Sequence, residues 1–416
     1  MGSACMREGE KRIPELLSPA GDSERLDAAL LYGADAVYLA GTRYGMRSAP
    51  ANFDEAGLRE AVRRSHARGV KVYVTCNILP RNGEMDSLPA YLELLQDSGV
   101  DALIVADLGV LALARRHAPR CRLHISTQWG VVNYETARQL HDMGADRVVL
   151  ARELSLDEVA EIRARTPQEL QLECFVHGAM CMSYSGRCLL SAYMTGRDAN
   201  HGDCAQPCRW KFQFTESNRP DRIWTAEEEE QGTYLFNAND LCMLGHIAVL
   251  SDAGVGSFKI EGRAKAPYYV AVITNAYRMA LDDWRAQGCP SDYRPPEWLM
   301  REPMTVSHRP YGTGFYFGEP RQDTSSGGYV REYEVAAAVE GWENGLLYLS
   351  QRNRFCEGDT LEILEPGKRP EAFIVRGMTD AQGNEIDAAP HPTMKVCVPY
   401  PRPLTMGAFL RRSLTA

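Results

Sequence analysis

Between residues 33 and 260 one phrase recurs and constrains the fold more than any other feature. It reads glycine, a small or branched residue, often aspartate, then a short run rich in branched residues. Examples are Gly33-Ala34-Asp35-Ala36-Val37-Tyr38-Leu39, Gly69-Val70-Lys71-Val72-Tyr73-Val74 and Gly99-Val100-Asp101-Ala102-Leu103-Ile104-Val105. Gly144-Ala145-Asp146-Arg147-Val148-Val149-Leu150 and Gly254-Val255-Gly256-Ser257-Phe258-Lys259-Ile260 continue it. Glycine ends a helix in the left-handed cap conformation. The run after it is apolar on both faces, as a buried parallel strand requires.

Helical periodicity fills the gaps, at Ser23 to Tyr32, Glu55 to Arg68, Leu88 to Asp97, Tyr134 to Met143, Leu156 to Ala164 and Pro267 to Arg285. Asp22, Asp54, Asn133 and Ser155 stand before four of these as caps. Alternating strands and helices mean repeated βα units. Nine strand candidates lie near 15–19, 36–40, 71–76, 102–107, 122–127, 147–151, 171–177, 233–237 and 257–261. A closed barrel of this kind needs eight. One candidate is therefore outside the wall, or the barrel is irregular, and the 178–232 insertion is the source of the disturbance.

The expected fold is α/β. A TIM-like (βα) barrel covers 1–287 with a cysteine-rich insertion at 178–232, a proline-marked linker covers 288–306, and a small antiparallel β-barrel covers 307–416. The last domain rests on short alternating runs at Glu334 to Val339, Leu346 to Gln351, Thr360 to Leu364, Ala372 to Val375 and Met394 to Val398. A length of 416 residues suits one large barrel plus a smaller module. No run approaches the roughly 18 apolar residues of a membrane helix. Met1 to Arg12 is polar without an apolar core, so no secretory signal and a cytoplasmic setting are expected. There, clustered thiols bind metal or do redox chemistry more often than they form disulfides.

The chain has 12 cysteines, and Cys181, Cys188, Cys204 and Cys208 read Cys-x6-Cys-x15-Cys-x3-Cys. Gly178, Gly186, Gly196 and Gly202 in the same stretch let backbone approach a cofactor closely. Zinc fingers prefer two short Cys pairs, and only the last pair fits that. Three well-separated cysteines plus a fourth suit the larger cage of an iron–sulfur cluster. Zinc and buried core thiols are the competing readings; the polar flanks speak against the core. Cys242 is an alternative fourth ligand to Cys208. The isolated Cys76, Cys121, Cys174, Cys289, Cys356 and Cys397 are expected to be structural.

The stretch Glu173-Cys174-Phe175-Val176-His177-Gly178-Ala179-Met180-Cys181 through Gly186-Arg187-Cys188 resembles the signature of the peptidase U32 family. So do Gly196-Arg197-Asp198 through Cys204-Ala205-Gln206-Pro207-Cys208-Arg209-Trp210-Lys211, Asn237-Ala238-Asn239-Asp240-Leu241 and Lys259-Ile260-Glu261-Gly262-Arg263. Glu15-Leu16-Leu17-Ser18-Pro19-Ala20-Gly21 and Gln351-Arg352-Asn353-Arg354-Phe355 carry the likeness to both ends. The resemblance implies oxygen-independent hydroxylases with a 4Fe-4S cluster on four cysteines. Length, the Cys204/Cys208 pair and the β-domain are most similar to the group forming 5-hydroxyuridine at the wobble position of tRNA, with prephenate as hydroxyl donor. The anticodon loop would be the partner, with an electron donor besides. Alternatives within the family are a collagenase-like peptidase and a hydroxylase of another RNA or a quinone.

Active sites of βα barrels lie at the C-terminal strand ends. Those ends here hold Asn77, Asp107, Thr127, Gln128, Arg152, Glu153, His177, Asn237, Asp240, Lys259, Glu261 and Arg263. Prephenate and RNA both carry oxyanions, which guanidinium binds bidentately. Arg152, Arg187, Lys259 and Arg263 are the oxyanion candidates, His177 and Glu261 candidates for catalysis, and Asn237 for substrate binding. The net charge of −9 confines RNA contact to a local patch. Arg209-Trp210-Lys211 offers a stacking ring between charges directly after Cys208. Arg63-Arg64, Arg115-Arg116, Arg352 with Arg354, and Arg411-Arg412 are further basic sets. A peptidase would need a nucleophile such as Cys181 or Cys188 paired with His177.

Overall fold

The computed structural model describes residues 12–46, 52–210, 238–320 and 328–414, and the backbone of 214–216 and 219–224. Eight parallel strands close into a barrel: β1 (Glu15–Pro19), β2 (Ala36–Leu39), β3 (Lys71–Cys76), β4 (Ala102–Val105), β5 (Arg122–Ile125), β6 (Arg147–Val149), β7 (Gln171–Gly178) and β8 (Ser257–Ile260). β8 pairs with both β7 and β1, so the wall has no open edge. The short strand Asp240–Cys242 runs antiparallel to the end of β7, outside the wall. The strand expected at 233–237 lies outside the described residues.

The caps expected from sequence form. Asp22 accepts from the Arg25 amide at 3.0 Å, Asp54 from Gly57 at 2.7 Å and Asn133 from Thr136 at 2.8 Å. Each is worth about 1 kcal/mol. Asp107 does the same, accepting from the Val110 amide at 3.0 Å and opening the helix Leu108–His117. It is a helix cap rather than a mouth residue.

The barrel interior carries charge toward the N-terminal ends of its strands. Arg147 reaches Glu15 and Glu173 at 2.8 Å each and Lys259 reaches Glu173 at 2.9 Å, while Lys71, exposed at the start of β3, reaches Glu15 at 2.9 Å from outside. Burial alone would push the Glu173 carboxyl up; Lys259 and Arg147 reverse the sign and hold it below the usual carboxylate range. Leu17, Ala36, Tyr38, Tyr73, Ala102 and Ile104 pack as an apolar layer in the same lumen. The interior is thus filled, and the open chemistry is left to the mouth.

The C-terminal domain is a seven-stranded antiparallel sheet curled as a half-barrel, with Tyr333–Glu343 central between Leu346–Gln351 and Phe409–Ser413. Val339, Leu349, Phe355, Ile363 and Leu410 belong to its core. Residues 288–306 include a helix, Glu297–Arg301, and a 3₁₀ turn, Glu302–Thr305, that pack on the long helix Pro267–Ala286. Arg411 is buried and bonds Glu302 at 2.8 and 2.9 Å and the Thr305 hydroxyl at 2.8 Å. Arg412 pairs with Glu334 and Asp359. This basic pair therefore clasps the sheet and is not an RNA surface. The Tyr32 hydroxyl adds a bond to the Leu364 carbonyl at 2.8 Å.

Candidate active site

Residues 178–210 fold over the C-terminal mouth of the barrel. Arg152, just past β6, ties this loop down: its guanidinium donates to the Ala179 carbonyl at 2.9 Å and to Ser185 Oγ at 2.6 Å, and it lies 5.0 Å over the Phe175 ring. Arg187 donates from the loop to the Trp129 carbonyl at 3.3 Å. The glycines serve backbone geometry here. Gly186 has φ +77° and packs so closely on Gln128 that a Cβ would stand 3.0 Å from the glutamine Cβ. Gly178, at φ +110°, leaves room for the Glu261 carbonyl, which a Cβ would meet at 2.6 Å.

Cys181, Cys188, Cys204 and Cys208 all carry free thiols on this loop. Burial pushes the Cys208 thiol up and Arg209 opposes this, while Cys181, Cys204 and Cys188 push it further up. Cys208 thus has the other three thiols in its electrostatic neighbourhood. Cys242 has different surroundings. Burial pushes it up to about 11, against bonding with Leu244 and Tyr277. Among the described residues no three His, Cys, Asp or Glu side chains converge on a single-ion site. Four thiolates on one zinc stand about 3.8 Å apart, given Zn–S bonds of about 2.3 Å. Four thiols on one loop have the donor chemistry of a thiolate metal or cluster site. Beside Cys181 lies a cavity of about 90 Å³, lined by Met180, Met182, Asn239 and Phe315 among others.

The mouth beneath the loop holds several of the expected residues. Arg263 is buried and crosses from the end of β8 to Thr75 Oγ1 at 3.0 Å and Asn52 Oδ1 at 3.3 Å. The Tyr38 hydroxyl donates to Glu261 at 3.4 Å. Asn77 donates to Gln128 Oε1, and the buried Gln128 Nε2 has no hydrogen-bond partner among the described residues. Asp240 accepts from the Arg309 amide at 3.3 Å, and Arg309 donates back to the Ala238 carbonyl at 2.9 Å. Asn237 and Lys211 lie outside the described residues.

Two expectations are corrected. Lys259 is not a free oxyanion ligand: it is 5% exposed, paired with Glu173 at 2.9 Å, and lies 4.7 Å from the Tyr38 ring centroid. His177 is turned away from the mouth. The β7–β8 register shifts between Lys259 and Ile260, so Phe175 pairs with Lys259 but His177 with Ile260. The extra residue, Val176, swings His177 onto the helix side of the wall. There its Nδ1 meets the Tyr277 hydroxyl at 3.5 Å and its Nε2 the Tyr311 hydroxyl at 3.2 Å. Burial, with Lys265 and His308 adding, pushes it down to about 3, so the imidazole is neutral. No thiol–imidazole pair with Cys181 or Cys188 follows from such a position.

Sequence reasoning missed a set beside Cys208. Arg209 donates to Gln206 at 2.5 Å and to the Tyr329 hydroxyl at 3.3 Å. Arg309 reaches the same hydroxyl at 3.5 Å, and the Lys265 ammonium lies 4.5 Å from the centre of the Tyr329 ring. Lys265 was detectable as the next cation after Arg263. Tyr329 and Arg309 come from a distant segment with no motif of their own.

A closed βα barrel with a four-thiol loop over its C-terminal mouth places the chain among barrel proteins whose chemistry lies at the strand ends. It belongs to peptidase family U32: the model described as peptidase family U32 matches residues 21–326, and the U32 C-terminal domain matches 331–411. It is 35% identical to tRNA hydroxylation protein P of Escherichia coli (strain K12), over 97% of each chain. It is 37% identical to tRNA hydroxylation protein P1 of Bacillus subtilis (strain 168), over 91% of this chain and 90% of that one. Identity to the 23S rRNA 5-hydroxycytidine C2501 synthase of Escherichia coli (strain K12) is 41%, over 64% of this chain and 39% of that protein.

Proposed function

We propose that this protein is a tRNA hydroxylase that forms 5-hydroxyuridine at the wobble position, with prephenate as hydroxyl donor. The end-to-end similarity to proteins named for tRNA hydroxylation supports the reaction. The observation that carries the site is the loop on which Cys181, Cys188 and Cys204 neighbour Cys208. These four would hold a 4Fe-4S cluster, which supplies electrons or Lewis acidity when bound. Cys242 is half-buried beside Tyr277 and is left out of the proposed set.

The chain's own groups bind and orient. Arg263 and Arg152 offer guanidinium to the carboxylates of a donor such as prephenate. Gln128, held through Oε1 by Asn77, presents an amide N–H to a uracil carbonyl. The wobble base sits in a single-stranded loop, so little pairing energy opposes its entry. A cytoplasmic setting and an external electron donor belong to the same proposal.

The test is nucleoside mass spectrometry of tRNA from a deletion strain complemented with wild type or Cys204→Ala. Wild type restores 5-hydroxyuridine-derived nucleosides and Cys204→Ala does not. Anaerobically purified Cys204→Ala contains less iron and sulfide than wild type. Unchanged nucleosides in the deletion strain, with no redundant pathway active, sink the reaction; unchanged iron sinks the ligand set.

A further inference from the structure

Cys208, Gly262 and the segment leading to Val330 come from three distant parts of the chain, and their neighbours meet at one phenol. Tyr329 is 44% exposed, and the hydroxyl accepts from Arg209 at 3.3 Å and from Arg309 at 3.5 Å. The Lys265 ammonium stands 4.5 Å from the ring centre and the Arg309 guanidinium carbon 5.4 Å. Trp210, next in the chain to Arg209, is 40% exposed. Two half-buried cations, Arg209 and Lys265, with the buried Arg309 behind them, thus surround the open Tyr329 ring, and the exposed Trp210 follows Arg209 in the chain, in a molecule whose net charge is −9.

Cations held this close repel one another, and an incoming anion relieves the repulsion. The exposed rings add a requirement that a bare anion does not meet. Flat, open aromatic faces beside positive charge suit a ligand that alternates phosphates with unpaired bases. A duplex keeps its bases stacked internally and gains nothing from such rings. Lys265 stands on the barrel side and Arg209 on the cysteine loop, so a phosphate bound between them would also join loop to barrel.

We propose that Tyr329, with Arg209, Lys265 and Trp210 and held from behind by the buried Arg309, forms a single-stranded RNA platform that grips the nucleotide next to the one entering the mouth. This rests on the RNA-hydroxylase reading above and assigns the grip to residues outside the cysteine cluster. Arg309 is buried and built into the fold, so Tyr329 and Lys265 are the positions to change.

The test uses the full-length protein and an anticodon stem-loop RNA, with binding measured across a salt series. Tyr329→Ala weakens binding about ten-fold, the loss of one stacked base. Tyr329→Phe keeps the ring and most of the affinity. Lys265→Gln lowers the slope of log affinity against log salt by about 0.7, the share of one single-strand phosphate. Wild-type iron content and thermal midpoint in each variant establish that the site is intact. Wild-type protein that neither binds the stem-loop nor alters tRNA nucleosides refutes the RNA reading itself. Wild type that binds and modifies tRNA, while Tyr329→Ala and Lys265→Gln bind with unchanged affinity and salt slope, overturns the platform alone. Duplex RNA bound as tightly as the loop also overturns it.

Discussion

Glu173 shows how one residue holds several others in place. Its carboxylate is fully buried and meets Lys259, Arg147 and the Ser257 hydroxyl at 2.9, 2.8 and 2.9 Å. Glu173→Gln keeps the shape and leaves two buried cations short of an anion. The expected cost is about 3–5 kcal/mol, read as a lower urea midpoint at unchanged slope. The same groups set the pH response. Glu15 and Glu173 have folded-state values below their unfolded ones, so their contribution is present above the unfolded carboxylate range and is lost as pH falls through the folded value. His177 is pushed down to about 3, so between an unfolded value of about 6.5 and that point only the unfolded chain takes up its proton. Both effects have one sign: stability falls on acidification. Urea midpoints from neutral to mildly acidic pH should therefore decline, and His177→Gln should flatten the upper part of that decline. An equal decline in His177→Gln would show that the histidine is not protonating on unfolding. Lys259 and His177 were legible as polar residues at strand ends. Their depth was not, because alternation tells which residues share a face but a single inserted residue reverses it.

At the scale of elements, the sequence carries most of the barrel. Each glycine phrase marks a helix end and a strand start, and Asp22, Asp54, Asn133 and Ser155 cap the helices that follow them. The helix Leu108–His117 was hidden because its cap, Asp107, also fits the pattern of a mouth residue. The last strand, Phe409–Ser413, follows Pro401, Pro403 and Gly407, turn signals that sequence reasoning left unused. The cysteine loop is legible by residue type but not by shape. Its glycines support close packing and left-handed turns, and this gives a direct test. Gly186→Ala places a β-carbon at φ +77°, 3.0 Å from Gln128 Cβ and 3.1 Å from its carbonyl oxygen. The loop must lift from the mouth to relieve this. Purified Gly186→Ala should retain less iron than wild type while the barrel unfolds at an unchanged urea midpoint. Full iron occupancy in that variant would show that the loop's seat on Gln128 is irrelevant to the thiols.

At the scale of the whole molecule, the barrel and the sheet are held together by a few buried polar groups rather than by a broad apolar seam alone. Arg411 is 1% exposed and meets Glu302 on the barrel side, Glu362 within the sheet and the Thr305 hydroxyl. Its charge is held well above its ordinary affinity for the proton, with Tyr268, Glu302 and Glu362 offsetting the penalty of burial. Around it, Tyr32 stacks on Phe409 and Gly407 packs on Leu31, so the clasp lies within an apolar contact. Removing the guanidinium leaves Glu302, 6% exposed, as a buried anion with its strongest partner gone. An uncompensated charge of this kind costs several kcal/mol, whereas a neutral pair of similar volume is nearly free of that penalty. Arg411→Met should therefore loosen the sheet from the barrel, and calorimetry should show a new early transition ahead of the barrel's own. The double change Arg411→Met with Glu302→Gln should recover much of the loss, because no charge is then stranded. A single transition at the wild-type temperature in Arg411→Met would mean that the apolar contact alone joins the two parts.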